Sequence, residues 1–450
     1  MQKLLILISF ISISLFSFGQ KKWSLQDCLT YAQENNLDIK RAFLDVESSK
    51  KSLFQSKAAL LPNLNGSVSE SRSYGRNYDQ VSDQIVLDNV KSNNFGINSS
   101  VNLFNGFQSI NTIRKNNYDY LASKYDAQKV ANDIAINIVT AYLQVLYNKE
   151  QLSVSQEKLD LSTLQVDRIR SMVEVGQLPQ GSLLEAEAQF AQEELALINS
   201  TNQLDISFLN IKQLLDLSSQ DEFDIVDPQI EPTVLINTSA DQMFEQAMIN
   251  LPDVKKADNN LKSAQRSLAI SQGARSPRLN LSTNWGTAYS DARMKFDGLD
   301  DQGLPTYVDY LFQDQFEDNT SQSLTLSLSL PLFNGWQANN SISQAKINVE
   351  RYRLNLQQTK NALQKTIEQA QADAVAANKQ YVASLKSVEA QTESFRYTES
   401  KYDVQLINSY EYYDAKNKLF SSENSLLQAK YDYIFKLKML DFYMGKKINF

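Results

Sequence analysis

Leu103-Phe104-Asn105-Gly106-Phe107-Gln108 and Leu332-Phe333-Asn334-Gly335-Trp336-Gln337 are one pattern written twice at an offset of 229, and each copy marks a change of period. Upstream of the first copy, Phe95, Ile97, Val101 and Leu103 alternate with Gly96, Asn98, Ser100 and Asn102. Upstream of the second, Leu324, Leu326, Leu328 and Leu330 alternate with Thr325, Ser327 and Ser329. Period two predicts β-strands with one oily and one wet face. Leu64, Gly66 and Val68 opposite Asn65, Ser67 and Ser69 predict a further strand, and Leu279, Leu281 and Trp285 a fourth. The strand pairs are expected at about 63–104 and 278–331. A strand of about 10 residues tilted near 45° matches the apolar band of an outer-membrane barrel. A hairpin packed on a water-soluble core shows the same alternation.

Downstream of each pattern the period becomes seven. Ile138, Val145, Leu152, Leu159, Val166 and Val173 are answered in the second copy by Ile367, Ala374, Tyr381, Val388, Phe395 and Tyr402. After a break, Leu183, Phe190, Leu197, Leu204 and Ile211 are answered by Tyr412, Leu419, Leu426, Tyr433 and Leu440. Each copy is therefore expected to hold a long helix, roughly 100 Å at 1.5 Å rise, folded back on a shorter one. A sustained heptad needs partner helices along its length and supercoils left-handed. Ala141, Asn148, Ser155 and Ser162 accompany the first stripe and are expected on a wet helix face.

The duplication is general. At an offset of 215, Ala32 meets Ala247, Asp38 meets Asp253, and Pro62, Leu64 and Asn65 meet Pro277, Leu279 and Asn280. The two offsets differ by 14, so the second copy carries an insertion, expected in a loop at about 286–322. The organisation reads as a signal peptide at 1–19, a first repeat at 20–217 with its hairpin at 107–216, a linker at 218–241, and a second repeat at 242–450 with its hairpin at 336–444. The signal peptide is read from Lys3, the apolar run Leu4 to Phe18, and small residues around Gly19. Outside it, no run of 18 apolar residues predicts a membrane-spanning helix.

Composition narrows the function. With 44 Lys and Arg against 52 Asp and Glu, a net charge of -8 repels phosphate backbones, so no nucleic-acid partner is expected. No histidine and a single cysteine, Cys28, remove imidazole catalysis, His or Cys metal centres and an intrachain disulfide. No enzyme activity, cofactor or metal is expected. Cys28 reads as a small apolar core residue.

Four strands cannot close a barrel in lipid, where an open edge leaves backbone groups unpaired. If these strands meet lipid, the chain must oligomerise, and two, three or four copies would supply 8, 12 or 16 strands. Phe104, Phe107, Phe333 and Trp336 at the junction fit interfacial aromatics or packing against neighbouring helices.

The doubled Leu-Phe-Asn-Gly junction (Phe104, Asn105, Gly106; Phe333, Asn334, Gly335), with Val175-Gly176 leading to Ser182 through Ala186 and Val404 leading to Glu411 through Ala415, resembles the TolC-like outer-membrane efflux family. The resemblance runs over essentially the whole mature chain. It implies a mainly α fold with membrane β: four strands per chain in a trimeric 12-stranded barrel, continued by a long antiparallel coiled-coil α-barrel. It implies a homotrimeric exit duct with its barrel in the outer membrane, in contact with outer-membrane lipid, and its helices in the periplasm. The implied partners are a periplasmic adaptor (membrane fusion) protein and an inner-membrane pump of RND or ABC type, for efflux or type I secretion.

On the same resemblance, the entrance gate lies at the hairpin tips. Tyr402 matches a gate tyrosine, and Glu411 and Asp414 match lumen-facing acids that would form rings of carboxylates across a trimer. The plain alternative for both is an acid in the first turn of a helix, as Glu185 would be in a capping box with Ser182. Ile407 stands where the family pattern has a gate-locking arginine, and Ser182 where it has an aspartate, so that lock is absent. Val175, Gly176, Gln177 and Leu178, with Val404, Gln405 and Leu406, would be the adaptor-docking tips. The stretch from Gly286 to Thr320 holds eight acids and is expected as a solvated surface loop rather than a calcium site. The rival reading is a soluble exported coiled-coil scaffold or adaptor without a pore.

Overall fold

Both heptad stretches fold as helical hairpins and the alternating stretches as strands, in a computed structural model that describes residues 22–79, 84–86, 89–228, 231 and 239–446. The expected signal peptide at 1–19 lies outside the described residues, as do linker residues 229–230 and 232–238. In chain order the first repeat gives α1 (Leu25–Asn35), α2 (Leu37–Ala58), β1 (Asn63–Ser73), β2 (Asn77–Asp79), β3 (Gln84–Val86), β4 (Val90–Phe104), α3 (Gln108–Glu174) and α4 (Gln180–Leu214). The second gives α5 (Ala240–Asn250), α6 (Pro252–Gly273), β5 (Arg278–Ser290), β6 (Met294–Leu299), β7 (Pro305–Asp309), α7 (Phe312–Asp318), β8 (Ser321–Ser329), α8 (Gln337–Asp403) and α9 (Ser409–Tyr443).

Two compact units cut across the repeats. One comprises Met1–Val46, Ser123–Lys256 and Leu356–Phe450; the other comprises Glu47–Ala122 and Ala257–Asn355. Each unit draws on both repeats, because strands of one repeat pair with strands of the other and helices of one pack on helices of the other.

In the helical unit every residue of the four heptad stripes is buried or half-buried. A seven-residue apolar repeat on a left-handed supercoil has this outcome. The largest core joins Leu25, Cys28 and Ala32 of α1, Ile138 to Leu146 of α3, Ile211 and Leu215 at the end of α4, Ile225, and Leu427, Tyr431 and Ile434 of α9. Cys28 is fully buried, and burial pushes its thiol up to about 12. Its counterpart at the offset of 215, Met243, is buried in a second core with Ala247, Leu251, Ile367, Ala374 and Leu440. By length and composition α3 could cross a membrane, but Ile138, Val139, Tyr142, Leu143, Val145 and Leu146 make it a core helix.

The expected wet face of α3 is not wet. Asn148, Ser155 and Ser162 are buried and Ala141 is half-buried. Their small side chains let α3 and α4 approach closely: the Asn148 amide donates to the Gln203 carbonyl at 3.1 Å, and the Ser155 and Ser200 hydroxyls meet at 2.9 Å. The start of the linker is tied down as well. Trp23 and Ile225 form a parallel bridge, the Tyr142 hydroxyl donates to the Val226 carbonyl at 2.6 Å, and Lys149 and Lys22 both bind Asp224.

The other unit is built on a four-stranded antiparallel sheet in the order β1-β4-β5-β8. The register aligns Val68 with Phe95 and Thr287, Ile97 with Trp285, Leu281 with Val101 and Leu326, and Leu279 with Leu328. One face is thus apolar across all four strands, and the other carries Asn65, Ser67, Asn98, Ser100, Asn280, Ser282, Thr325 and Ser327. Leu64, Val68 and Leu324 on the apolar face are each more than 70% exposed.

The acidic stretch 286–320 is not a plain solvated loop. It extends β5 to Ser290, forms the β6–β7 hairpin and then α7, whose Phe312 and Phe316 pack on the sheet. Among the described residues no cluster of His, Cys, Asp and Glu could hold a metal ion.

Candidate functional site

The hairpin tips are closed by two turns of the same shape. In the first, Gly176 has φ 73°, and the Gln177 amide bonds back to the Met172 carbonyl at 2.8 Å. In the second, Gln405 has φ 58°, and the Leu406 amide bonds to the Lys401 carbonyl at 2.9 Å. These bonds cap the last carbonyls of α3 and α8, and the left-handed residue reverses the chain. Val175, Val404 and Leu406 stand exposed at the turns, Gln177 and Gln405 are exposed with them, and Leu178 and Ile407 are half-buried.

Helix α9 starts with an Asn408 side chain accepting from the Glu411 amide at 2.9 Å, and Glu411 is an exposed acid in the first turn. Asp414 is exposed and paired with Lys418 one turn on, at 2.6 Å. The capping box expected at Ser182 and Glu185 does not form: α4 begins at Gln180 behind Pro179, whose ring offers no side-chain acceptor, and Ser182 lies inside the helix. Glu185 instead accepts from the Ser409 hydroxyl at 2.6 Å, joining the two hairpins. Arg168 joins them again through Asp403 at 2.8 Å. Ile407 and Ser182 carry no charges to pair with each other, and these two polar contacts between other residues tie the tips together. Arg168, Asp403 and Glu185 are exposed and Ser409 is half-buried, and an exposed ion pair such as Arg168–Asp403 contributes on the order of 0–1 kcal/mol.

Tyr402 lies within an aromatic cluster of the second hairpin, stacked on Tyr412 at 4.5 Å between ring centres, with Phe395 and Tyr413 also on Tyr412. Burial raises the phenols of Tyr402 and Tyr413 and pushes that of Tyr412 up to about 12, so the cluster stays neutral.

Further along the hairpins lies a charge pair that the sequence reading missed. Lys416 and Glu193 are both nearly fully buried at 3.6 Å, with Lys158 at 4.0 Å from the same carboxylate and Gln189 donating to it at 3.0 Å. Burial lowers the Lys416 ammonium while Glu193 works against that shift. The available signal was position: Glu193 follows Phe190 by three and Lys416 follows Tyr412 by four, which puts both beside the apolar stripe. For Arg168 and Asp403, 235 residues apart, the sequence held no comparable signal.

At the strand-to-helix junctions, Phe104 ends β4 and meets Phe107 edge-on at 5.4 Å, and the Asn105 side chain accepts from the Ser109 amide at 3.3 Å. Asn334 accepts from the Ala338 amide in the same way at 3.5 Å, and Phe333 and Trp336 are strongly exposed. Gly106 and Gly335 take φ 66° and 60°, followed by Phe107 and Trp336 at 61° and 64°.

A sequence profile of outer membrane efflux proteins matches residues 29–216 and again 243–446, one match per repeat. The chain belongs to this family. Its place is the outer membrane, and the pore-free scaffold reading is set aside. Among relatives, it is 22% identical over 410 residues to the solvent efflux pump outer membrane protein SrpC of Pseudomonas putida, covering 90% of this chain and 82% of the relative. It is 20% identical over 445 residues to the outer membrane protein TolC of Escherichia coli, covering 96% and 84%. Among solved structures, CusC, described for its transmembrane channel formation, superposes with a TM-score of 0.78 at 18% identity, covering 96% of both chains. The shared fold is that of outer-membrane channels with periplasmic helical domains.

Proposed function

We propose that three copies of this chain close a 12-stranded barrel and act as the passive exit duct of a tripartite efflux or type I secretion system. The observation that carries the reading is the sheet itself: an apolar face across four strands, with β1 and β8 left as its two margins. In lipid, such margins need strand partners. The pseudo-symmetry of the repeats names them. Since β4 of the first repeat pairs with β5 of the second, β8 of one copy pairs with β1 of the next.

The two offsets carry the β4–β5 register onto that seam. Asn98↔Asn284 becomes Ser327↔Ser69, and Ser99↔Thr283 becomes Leu328↔Val68, which keeps wet and oily faces matched. The experiment is a thiol cross-link between Ser327→Cys and Ser69→Cys in one chain, using a short bifunctional reagent. Covalent trimers are expected. Monomers only, or stronger linking in a pair displaced by several residues, would overturn the closure.

In this reading the exposed Val175, Gly176, Gln177, Val404, Gln405 and Leu406, with Leu178, form the surface for a periplasmic adaptor that couples the duct to an inner-membrane pump. Glu411 and Asp414 line the entrance as acid rings with Tyr402, Ser182 and Ile407 nearby in the gate. Substrates pass without chemistry; the chain is a conduit, not a catalyst. The efflux-pump names of the relatives support this assembly.

A further inference from the structure

The short helix α7 sits in the part of the second repeat that the first repeat lacks, and it packs on the sheet's apolar side. Phe316 lies 5.3 Å from Phe95 and 6.3 Å from Trp285, and Phe312 lies 5.2 Å from Tyr289 and 6.0 Å from Phe95. Phe95, Trp285 and Tyr289 all share the face of Leu281 and Leu326. The seating is fixed by polar bonds. Gln315 is fully buried, accepts from the Ser290 amide at 3.0 Å and donates to the Ser290 and Tyr310 carbonyls at 2.8 and 2.7 Å. The Thr287 hydroxyl donates to the Phe316 carbonyl at 2.7 Å, and the Asn319 amide to the Ala288 carbonyl at 2.6 Å. Gln313, Glu317 and Asp318 face outward and are exposed.

The position along the strands is informative. Two residues beyond the Val68–Phe95 row, the same face turns polar at Glu70 and Asn93, and two further on it carries Arg72 and Lys91. Glu70 pairs with Arg72 at 2.8 Å and Lys91 at 3.2 Å. In the other direction, Phe95 to Phe104 is nine residue steps along β4. That is about 30 Å at ~3.4 Å per residue, or roughly 22 Å in height at the usual barrel tilt, close to the ~25 Å apolar band of such barrels. The junction aromatics Phe104, Phe107, Phe333 and Trp336 stand at the lower limit of that band, and α7 at the upper.

We propose that α7 is an interfacial collar. It lies on the lipid-facing side of the sheet at the level of the outer-leaflet headgroups, completes the upper aromatic girdle with Phe312 and Phe316, and presents its polar face to the headgroup layer. The apolar band of such barrels is flanked at both interfaces by girdles of aromatic residues. The inference rests on the reading that the apolar face meets lipid.

The test uses nitroxide labels on the full chain in phosphatidylcholine vesicles, at Gln313→Cys and Glu317→Cys on α7, Leu326→Cys within the apolar face, and Gln302→Cys in the exposed β6–β7 turn. Buried Cys28 stays unlabelled. Depth is read from relaxation by oxygen against relaxation by a water-soluble nickel chelate. The collar predicts labels 313 and 317 intermediate between 326, in hydrocarbon, and 302, in water. Phe312→Ala with Phe316→Ala should then move label 317 to the depth of label 302 and leave 326 unmoved. With 326 in hydrocarbon, labels 313 and 317 matching either 302 or 326 in the unaltered helix overturn the collar alone. A label at 326 that reads as water overturns the membrane reading of the sheet, and the collar with it.

Discussion

Gly106 and Gly335 hold the same turn under very different constraints. A Cβ on Gly106 would lie 2.4 Å from the Gly273 carbonyl oxygen and 2.5 Å from the Ser276 Cβ; one on Gly335 would meet nothing within 4 Å. Gly335→Ala then carries only the left-handed backbone penalty, about 1–2 kcal/mol. Gly106→Ala adds a backbone clash and should cost more than about 3 kcal/mol, read as lost folded yield and a lower denaturation midpoint in detergent. Asp224 sets a pH limit at the same scale. Burial raises its carboxyl, but the Lys149 and Lys22 hydrogen bonds outweigh this and hold it below the usual carboxylate range. Its contribution is therefore complete above the unfolded value near 4 and is lost as pH falls through the lower folded value. Asp224→Asn should cost on the order of 1 kcal/mol at pH 7, and the difference from the parent should shrink in urea titrations as the pH is taken below the ordinary carboxylate range.

At the scale of elements, α3 and α4 are held close by small side chains. Ser155→Ala should lose one hydrogen bond, about 1 kcal/mol, whereas Ser155→Leu forces the helices apart and should cost about 1–3 kcal/mol or more; urea midpoints of the pair give the ratio. The strands and heptad helices were legible because their periods, two and seven, recur over many residues. The wet-face reading of Asn148 and Ser155 failed because small polar groups beside a stripe fit equally a solvated face and a tight helix contact. Helix α7 was hidden for another reason. Phe312 and Phe316 show one helical turn, four residues apart, which is too short a signal beside eight acids. At the tips, Glu411 was legible as a first-turn acid. The Arg168–Asp403 and Ser409–Glu185 contacts were not, since tertiary folding alone brings such distant residues together.

For the assembled molecule, the acids at the tip make a prediction about permeation. Lys418 sits against Asp414 and offsets its charge. Lys418→Ala should raise cation selectivity in planar-bilayer recordings, and Glu411→Ala with Asp414→Ala should lower it and weaken divalent-cation block. Selectivity unchanged in both variants would leave the acids as helix-terminus residues. The strand order has a further consequence for assembly kinetics. In a closed ring of three chains, the β4–β5 seams form inside a single polypeptide and the β8–β1 seams between polypeptides. Damage to the first kind acts at infinite dilution. Damage to the second obeys mass action, so more protein in the bilayer restores what a weakened seam has lost.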